Sequence, residues 1–489
     1  MSDRSALALA IALAGTVALA ARAGADVPSP AIEGPIGSPE AAFVASTTFD
    51  LAQVGYEQAE YFISGTARAW LDTAPLGSDG MWSVTPGESA AYKTRIVVYR
   101  PTSRKKFSGT VIVEWLNVSA GLDSAPDWIQ GHVELLREGA AWVGVSAQIV
   151  GVEGGTPLAP VLALPLKAQN PARYGSLHHP GDSFSYDIFS QAGRAVRTPS
   201  GPNPLGDLQA KRVIAVGESQ SAFRLVNYID AVHPVSRVFD GFLVHSRGGF
   251  GFALSEAPQP AIVAPGNAVI RADVDVPVLV FETESDLTFL NYFAARQDDS
   301  RHVRVWEVAG TAHSDTYGLG GGDTDVGTSP DAAAVVFGVT DVAAGLLHCD
   351  TPVNSGPQHY VLNAALAELI RWVRTGRAPR PAPRLDAQAG PPVALAVDQH
   401  GNARGGIRTP WVDAPIATFT GEQEGSLLCR LFGSTTPLDA ATLSALYPTH
   451  KAFRAAYGRA LKRAVRHGWI LAPDARLIRK WAAGAAIGG

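Results

Sequence analysis

The residues best placed to do chemistry centre on a serine held between two short segments of opposite character. Residues 213–216 read Val-Ile-Ala-Val, apolar and β-branched as in a buried strand. From Ala222 to Val232 apolar residues recur at helical spacing, and Pro234 is expected to end that helix. Between them stands Gly217-Glu218-Ser219-Gln220-Ser221. A strand-to-helix turn this sharp needs small neighbours, which Gly217 and Ser221 supply, and it leaves the oxygen of Ser219 exposed for attack on a carbonyl carbon. The pattern departs from G-x-S-x-G only in its last residue, a serine for a glycine.

A serine hydroxyl is a weak nucleophile at neutral pH, so it needs a base, and the base needs an acid to fix its tautomer and stabilise its charged form. Both occur downstream. The apolar run 277–281 leads into Glu282-Thr283-Glu284-Ser285-Asp286, and the run 303–308 leads into Ala309-Gly-Thr-Ala-His313. His313 is the expected base. Asp286 is the expected acid because it stands where a strand-turn-Asp element delivers its carboxylate, with Glu284 as the alternative and the loser bracing the same turn. Asp315 is read as a cap of its own loop. An oxyanion needs two preorganised N–H donors, one of them from the residue after the nucleophile, here Gln220. The loop 116–121 offers the second at Asn117 or Val118. His245 and Arg247, at the end of the run 241–246, are candidates to touch substrate.

These residues must be positioned by strands that share one sheet. Residues 95–100, 110–115, 141–146, 213–216, 241–246, 277–281 and 303–308 read as strands, alternating with helical patterns such as 128–137 and 184–196. Strands separated by helices give an α/β fold, a mostly parallel sheet with helices on both faces, and polar residues at the strand ends mark where a ligand binds. The serine, acid, histidine order is that of α/β-hydrolases. A β-rich lead-in is expected over 26–92 and the core over 93–328. The insertion at 147–211, long for a plain connection, is expected to wall the substrate pocket. A mainly helical region fills 329–489, with helices at 332–347, 360–375, 450–466 and 475–483 and a hairpin at 391–406.

Charged residues make up 17% of the 489 and the net charge is -5, so no basic footprint points to nucleic acid. Residues 1–25 read as a secretory signal peptide: Arg4, an apolar run over 6–21, and small residues before a cleavage expected after Ala25. The mature chain is thus expected in the periplasm or outside the cell, with no further membrane span. There Cys349 and Cys429, the only cysteines, are able to pair or to remain buried thiols. The adjacent His178 and His179 lack a carboxylate at ligand spacing, and no metal or other cofactor is expected. The basic residues of the tail, such as Lys462, Arg463 and Arg466, read as a solvated face.

Several stretches together carry a resemblance: Val111-Ile-Val-Glu-Trp-Leu-Asn-Val-Ser119, Ala141-Trp-Val-Gly-Val-Ser-Ala-Gln148, Tyr174-Gly-Ser-Leu-His-His-Pro-Gly-Asp182, Gly217-Glu-Ser-Gln-Ser221, Ala309-Gly-Thr-Ala-His313 and Gly405-Gly-Ile-Arg-Thr-Pro410. Over nearly the whole mature chain the sequence resembles a family of exported bacterial α/β-hydrolase domain proteins. The resemblance implies an α/β-hydrolase fold and a serine hydrolase with its elbow at Ser219 and its base at His313. The final serine of the elbow belongs to that family's pattern. An ester, small or polymeric, is the expected substrate; a lactonase, amidase, peptidase or acyltransferase would use the same residues. A non-catalytic binding module is the alternative of another class.

Overall fold

The computed structural model describes residues 27–37, 42–158, 163–342 and 347–488. The expected export segment, residues 1–25, lies outside the described residues. The apolar runs assemble into a nine-stranded sheet. In chain order its strands are β1 (Ala31–Glu33), β2 (Tyr56–Asp72), β3 (Val84–Pro101), β4 (Thr110–Trp115), β5 (Ala141–Val145), β6 (Arg212–Glu218), β7 (Gly241–His245), β8 (Val278–Glu282) and β9 (Val303–Glu307). Across the sheet they run β1-β2-β3-β5-β4-β6-β7-β8-β9. From β5 to β9 every pair is parallel; β1, β2, β3 and β5 pair antiparallel. The lead-in is therefore a long hairpin continuous with the sheet, and β3 runs straight through the expected boundary at residues 92 and 93.

Alternation along the strands sorts two cores. Val111, Val113 and Trp115 of β4 face one layer, which holds α2 (Ser185–Arg197) and α3 (Gln220–Asn227). Ile112 faces the other, with α1 (Pro126–Glu138). The short α4 (Glu284–Thr288) follows β8, and α5 (Gln358–Thr375) packs beside α1 on the second face. That approach is close enough to require Gly131: a Cβ there would lie 2.3 Å from Leu366 Cδ1. The chain visits β5 on one side of β4 and then β6 on the other, so the loops after β4 and β6 part from each other. Such a reversal opens a crevice at the carboxyl ends of the strands.

Two helical expectations are corrected. Pro234 does not end the helix after the serine; a π-turn spans Tyr228–Val232 and a short helix continues over His233–Ser236 with the proline in its first turn. Proline lacks the N–H that would bond four residues back, and the widened turn absorbs that loss. No helix forms over 332–347 among the described residues. Residues 332–340 are irregular, and Asp341–Val342 pairs with Leu347–His348. Valines at 335, 336 and 339 disfavour helix, and Gly338 adopts φ +77°. The C-terminal region also holds small strand pairs, Ala387–Gln388 with Ala394–Leu395 and Ala417–Thr420 with Ser434–Pro437. Its last helices, α6 (His450–His467) and α7 (Ala472–Gly484), bury Phe453, Tyr457, Leu461 and Ile478 around Trp411. No described helix is long and apolar enough to cross a membrane.

Candidate active site

Ser219 sits between the end of β6 and the start of α3 with φ 55° and ψ -124°, a backbone conformation side chains rarely adopt. Its N–H donates to the His245 carbonyl at 2.9 Å, so the neighbouring strand holds the turn. A Cβ on Gly217 would lie 3.1 Å from the backbone of Ser221, which explains the small residue before the turn. Strain of this kind persists only where surrounding structure enforces it.

The hydroxyl of Ser219 meets His313 Nε2 at 2.8 Å, and His313 Nδ1 meets Asp286 Oδ1 at 2.6 Å. Asp286 is fully buried, and its other oxygen accepts from both the N–H and the hydroxyl of Thr283, each at 2.7 Å. These contacts dictate the tautomer: Nδ1–H donates to the carboxylate, leaving the Nε2 lone pair for the serine proton. Burial pushes the Asp286 carboxyl up, but the His313 charge and hydrogen bond and the Thr283 donors outweigh it and its pKa falls. For His313 burial acts downward and is outweighed by Asp286, with Glu218 adding to the rise.

Glu284 points elsewhere. Its two oxygens accept from the N–H groups of Gly310 at 2.6 Å and Gly421 at 2.9 Å, and burial pushes its pKa up to about 7. It ties the acid turn to the loop before His313 and to the C-terminal region. Asp315 accepts from Gly318 N–H within its own loop and from Gln130 Nε2, both at 2.9 Å.

At the oxyanion position one expectation is corrected. The Asn117 N–H is already donated to the Ser124 carbonyl at 2.9 Å, so it is not a free donor. Its side chain donates instead to Glu218, to the backbone oxygen at 3.2 Å and to Oε2 at 3.3 Å. Val118 N–H makes no hydrogen bond among the described residues, and Gln220 opens α3, where first-turn N–H groups have no carbonyl behind them.

His245 and Arg247, expected to face a substrate, are instead buried and engaged within the protein. His245 is fully buried, accepting from Gln358 Nε2 at 3.1 Å and donating through Nδ1 to Asp127 at 2.9 Å. Arg247 is spent on the carbonyls of Gly248 and Ala268 and lies over the Tyr292 ring. The residue the sequence reading passed over is Glu218. Its Oε1 lies 3.4 Å from His313 Nε2, and burial foremost pushes its pKa up to about 7. An acid directly before the nucleophile was the available signal.

The insertion braces the elbow from behind: Asp182 accepts from Ile149 N–H at 2.8 Å and pairs with Arg224 of α3 at 2.7 Å. His179 is buried against the Ala147 carbonyl, and His178 is largely exposed. No group of three or more His, Cys, Asp or Glu side chains among the described residues is placed to hold a metal ion. Cys349 and Cys429 are bonded, with S–S 2.10 Å. The bridged segment reaches the histidine loop, since the Leu431 carbonyl accepts from Ser314 N–H at 3.3 Å.

A mostly parallel sheet with helices on both faces, a strained serine after its central strand and a histidine after its last one define the α/β-hydrolase class. The chain belongs to the family described as "Alpha/beta hydrolase domain", whose pattern matches residues 30–480. No curated protein matches the sequence. Among solved structures, XC6422 from Xanthomonas campestris, described as an a/b serine hydrolase without lid, is 12% identical. The match covers 50% of this chain and 86% of that one, with a TM-score of 0.29. Acetyl xylan esterase 1 from Thermoanaerobacterium sp. JW/SL YS485 is 11% identical over 57% of this chain and 81% of that one, TM-score 0.28. A glucuronoyl esterase from Solibacter usitatus is 10% identical over 57% and 84%, TM-score 0.26.

Proposed function

We propose that this protein is an exported serine hydrolase that cleaves a carboxylic ester through an acyl-enzyme. The observation that carries the reading is the continuous chain from Ser219 Oγ through His313 to Asp286, with both hydrogen bonds at 2.8 Å or less. Ser219 Oγ attacks the carbonyl carbon while its proton passes to His313 Nε2. The oxyanion so formed is met by the N–H groups of Gln220 and Val118. Asp286 stays ionised and stabilises the imidazolium, which gives its proton to the departing alkoxide oxygen. Water then repeats the sequence on the acyl-serine, His313 taking its proton and returning one to Ser219 as the acid leaves. The apolar leader at the N-terminus supports export, and a disulfide suits an oxidising compartment.

The test is turnover on short- and long-chain acyl esters by wild type and Ser219→Ala, together with labelling by a serine-directed phosphonate and peptide mapping. The expected result is labelling at Ser219 and loss of turnover in the variant. Folded protein that neither turns over nor labels would overturn the assignment.

A further inference from the structure

The two last helices carry a charge distribution that the site does not use. Between residues 450 and 488 stand nine Lys and Arg residues and one acid, Asp474, in a chain whose net charge is -5. Asp474 is buried and paired with Arg137 at 2.6 Å, so it neutralises nothing on the outside. All nine cations are exposed. Arg463 pairs with Asp413 at 2.8 Å; the other eight have no ion-pair partner among the described residues.

On α6 the cations at 451, 454, 459, 462, 463 and 466 fall within one half of the helix circumference and extend over about 22 Å at 1.5 Å per residue. The opposite face, with Phe453, Tyr457, Leu461 and Ala464, is buried in the core. Like charges three and four residues apart destabilise a helix, as at 459 with 462 and 463, and at 476 with 479 and 480. Folding therefore gives no reason for this stripe. Between α6 and α7 it continues into a cavity of about 340 Å³ lined by His450, Lys451, Arg454, Tyr457 and Arg479.

We propose that this face is a docking surface for a linear acidic polysaccharide, a polymer with a carboxylate on successive sugar rings. Three observations select this partner. The recess between the helices is concave and carries three of the cations, whereas a bilayer presents a flat surface. No large apolar side chain between 450 and 488 is exposed to enter a membrane. Single-stranded nucleic acid calls for open aromatic rings on which bases stack. Here Trp469 is covered by His467 at 4.6 Å between centroids, and Trp481 lies parallel to Trp411. Cations spaced along the helix meet the repeated carboxylates, and release of the polymer's counterions makes the affinity depend on salt.

The test uses the full chain in affinity electrophoresis through sodium polygalacturonate. Comparison probes are the fully methyl-esterified polymer, phosphatidylglycerol vesicles and oligothymidylate. Wild type is expected to be retarded by polygalacturonate alone, with retardation falling as salt rises. The variant Lys451→Gln/Arg454→Gln/Arg479→Gln is expected to bind at least tenfold more weakly while hydrolysing a small soluble ester at the wild-type rate. Arg459→Gln/Lys462→Gln, which leaves the recess intact, should show the same direction of change and serves if the triple variant fails to fold. Absence of binding at low salt, wild-type affinity in a folded variant, or preference for the vesicles or the oligonucleotide would each overturn the proposal. None of these outcomes depends on Ser219.

Discussion

Exchanging the oxygen for nitrogen in each of the two candidate acids should separate catalysis from stability. In Asp286→Asn the orientation of the new amide is decided by Thr283, whose N–H and hydroxyl both donate to Oδ2 at 2.7 Å. The amide oxygen must remain there, so its NH2 faces His313 Nδ1 at the former 2.6 Å contact. Two donors cannot share that contact. Nδ1 therefore gives up its proton and Nε2 keeps one, aimed at Ser219, where the base should be. Loss of the correct tautomer lowers kcat by about 10⁴ in triads of this kind.

Glu284→Gln does the reverse. Each of its oxygens serves one buried N–H, so glutamine leaves either Gly310 or Gly421 facing an NH2 group. Breaking one bond and stranding its donor costs about 1–3 kcal/mol of stability, a cost that shows most fully below pH 7, because at higher pH the variant also escapes the burial of charge that raises the Glu284 pKa to about 7; kcat on the remaining folded protein stays within a few-fold of wild type. Steady-state hydrolysis of p-nitrophenyl acetate at pH 8, paired with urea melts, reads both. An Asp286→Asn enzyme within tenfold of wild type would refute the reasoning. So would a folded Glu284→Gln enzyme that has lost a thousandfold.

The remaining predictions concern Glu218 and the disulfide. Glu218 faces His313, Asn117, His245, Asp127 and Asp286, and its charge helps hold the His313 pKa up. Because the base must be neutral, Glu218→Gln should move the acid limb of kcat/KM to lower pH; a limb that stays or rises counts against the contact. Stability changes too: the carboxyl's folded pKa of about 7 exceeds its unfolded value of 4.5, so its contribution is full below 4.5 and lost as pH climbs through 7. Thermal melts of Glu218→Gln should lack that part of the decline. Replacing Cys349 and Cys429 by serine frees a loop closed over a sequence separation of 80. That should lower stability by about 4–5 kcal/mol on the chain-entropy argument; equal urea midpoints for wild type and variant would contradict it.

What the chain discloses before folding depends on whether a feature is local. Strands β4 to β9 and the turn at Ser219 are written in short apolar runs followed by small or polar residues, and such runs are buried on both faces of a parallel sheet. The chain order of serine, acid and histidine follows from the same topology, since β6, β8 and β9 are successive positions on one side of the sheet, separated only by β7. What a loop N–H does is not local. Asn117 and Val118 are adjacent and equally plausible donors in sequence, yet Ser124, seven residues on, takes one of them and leaves the other. The same holds for His245: its place at a strand end suggested exposure to substrate, while α1 and α5 bring Asp127 and Gln358 over it.

Glu218 shows where the two kinds of information meet. Its position before the nucleophile is local, but its closeness to His313 exists only because β6 and the loop after β9 converge at the carboxyl edge of the sheet. A carboxyl group placed there without a full partner is costly in a dry interior. His313, the base of the proposed mechanism, lies close enough to offset this cost when it is charged. In the proposed mechanism the strain at Ser219, the burial of Glu218 and the charge that would develop on His313 are thus one arrangement: the first two are unfavourable at rest, and the third would relieve the burial of Glu218 as the proton moves.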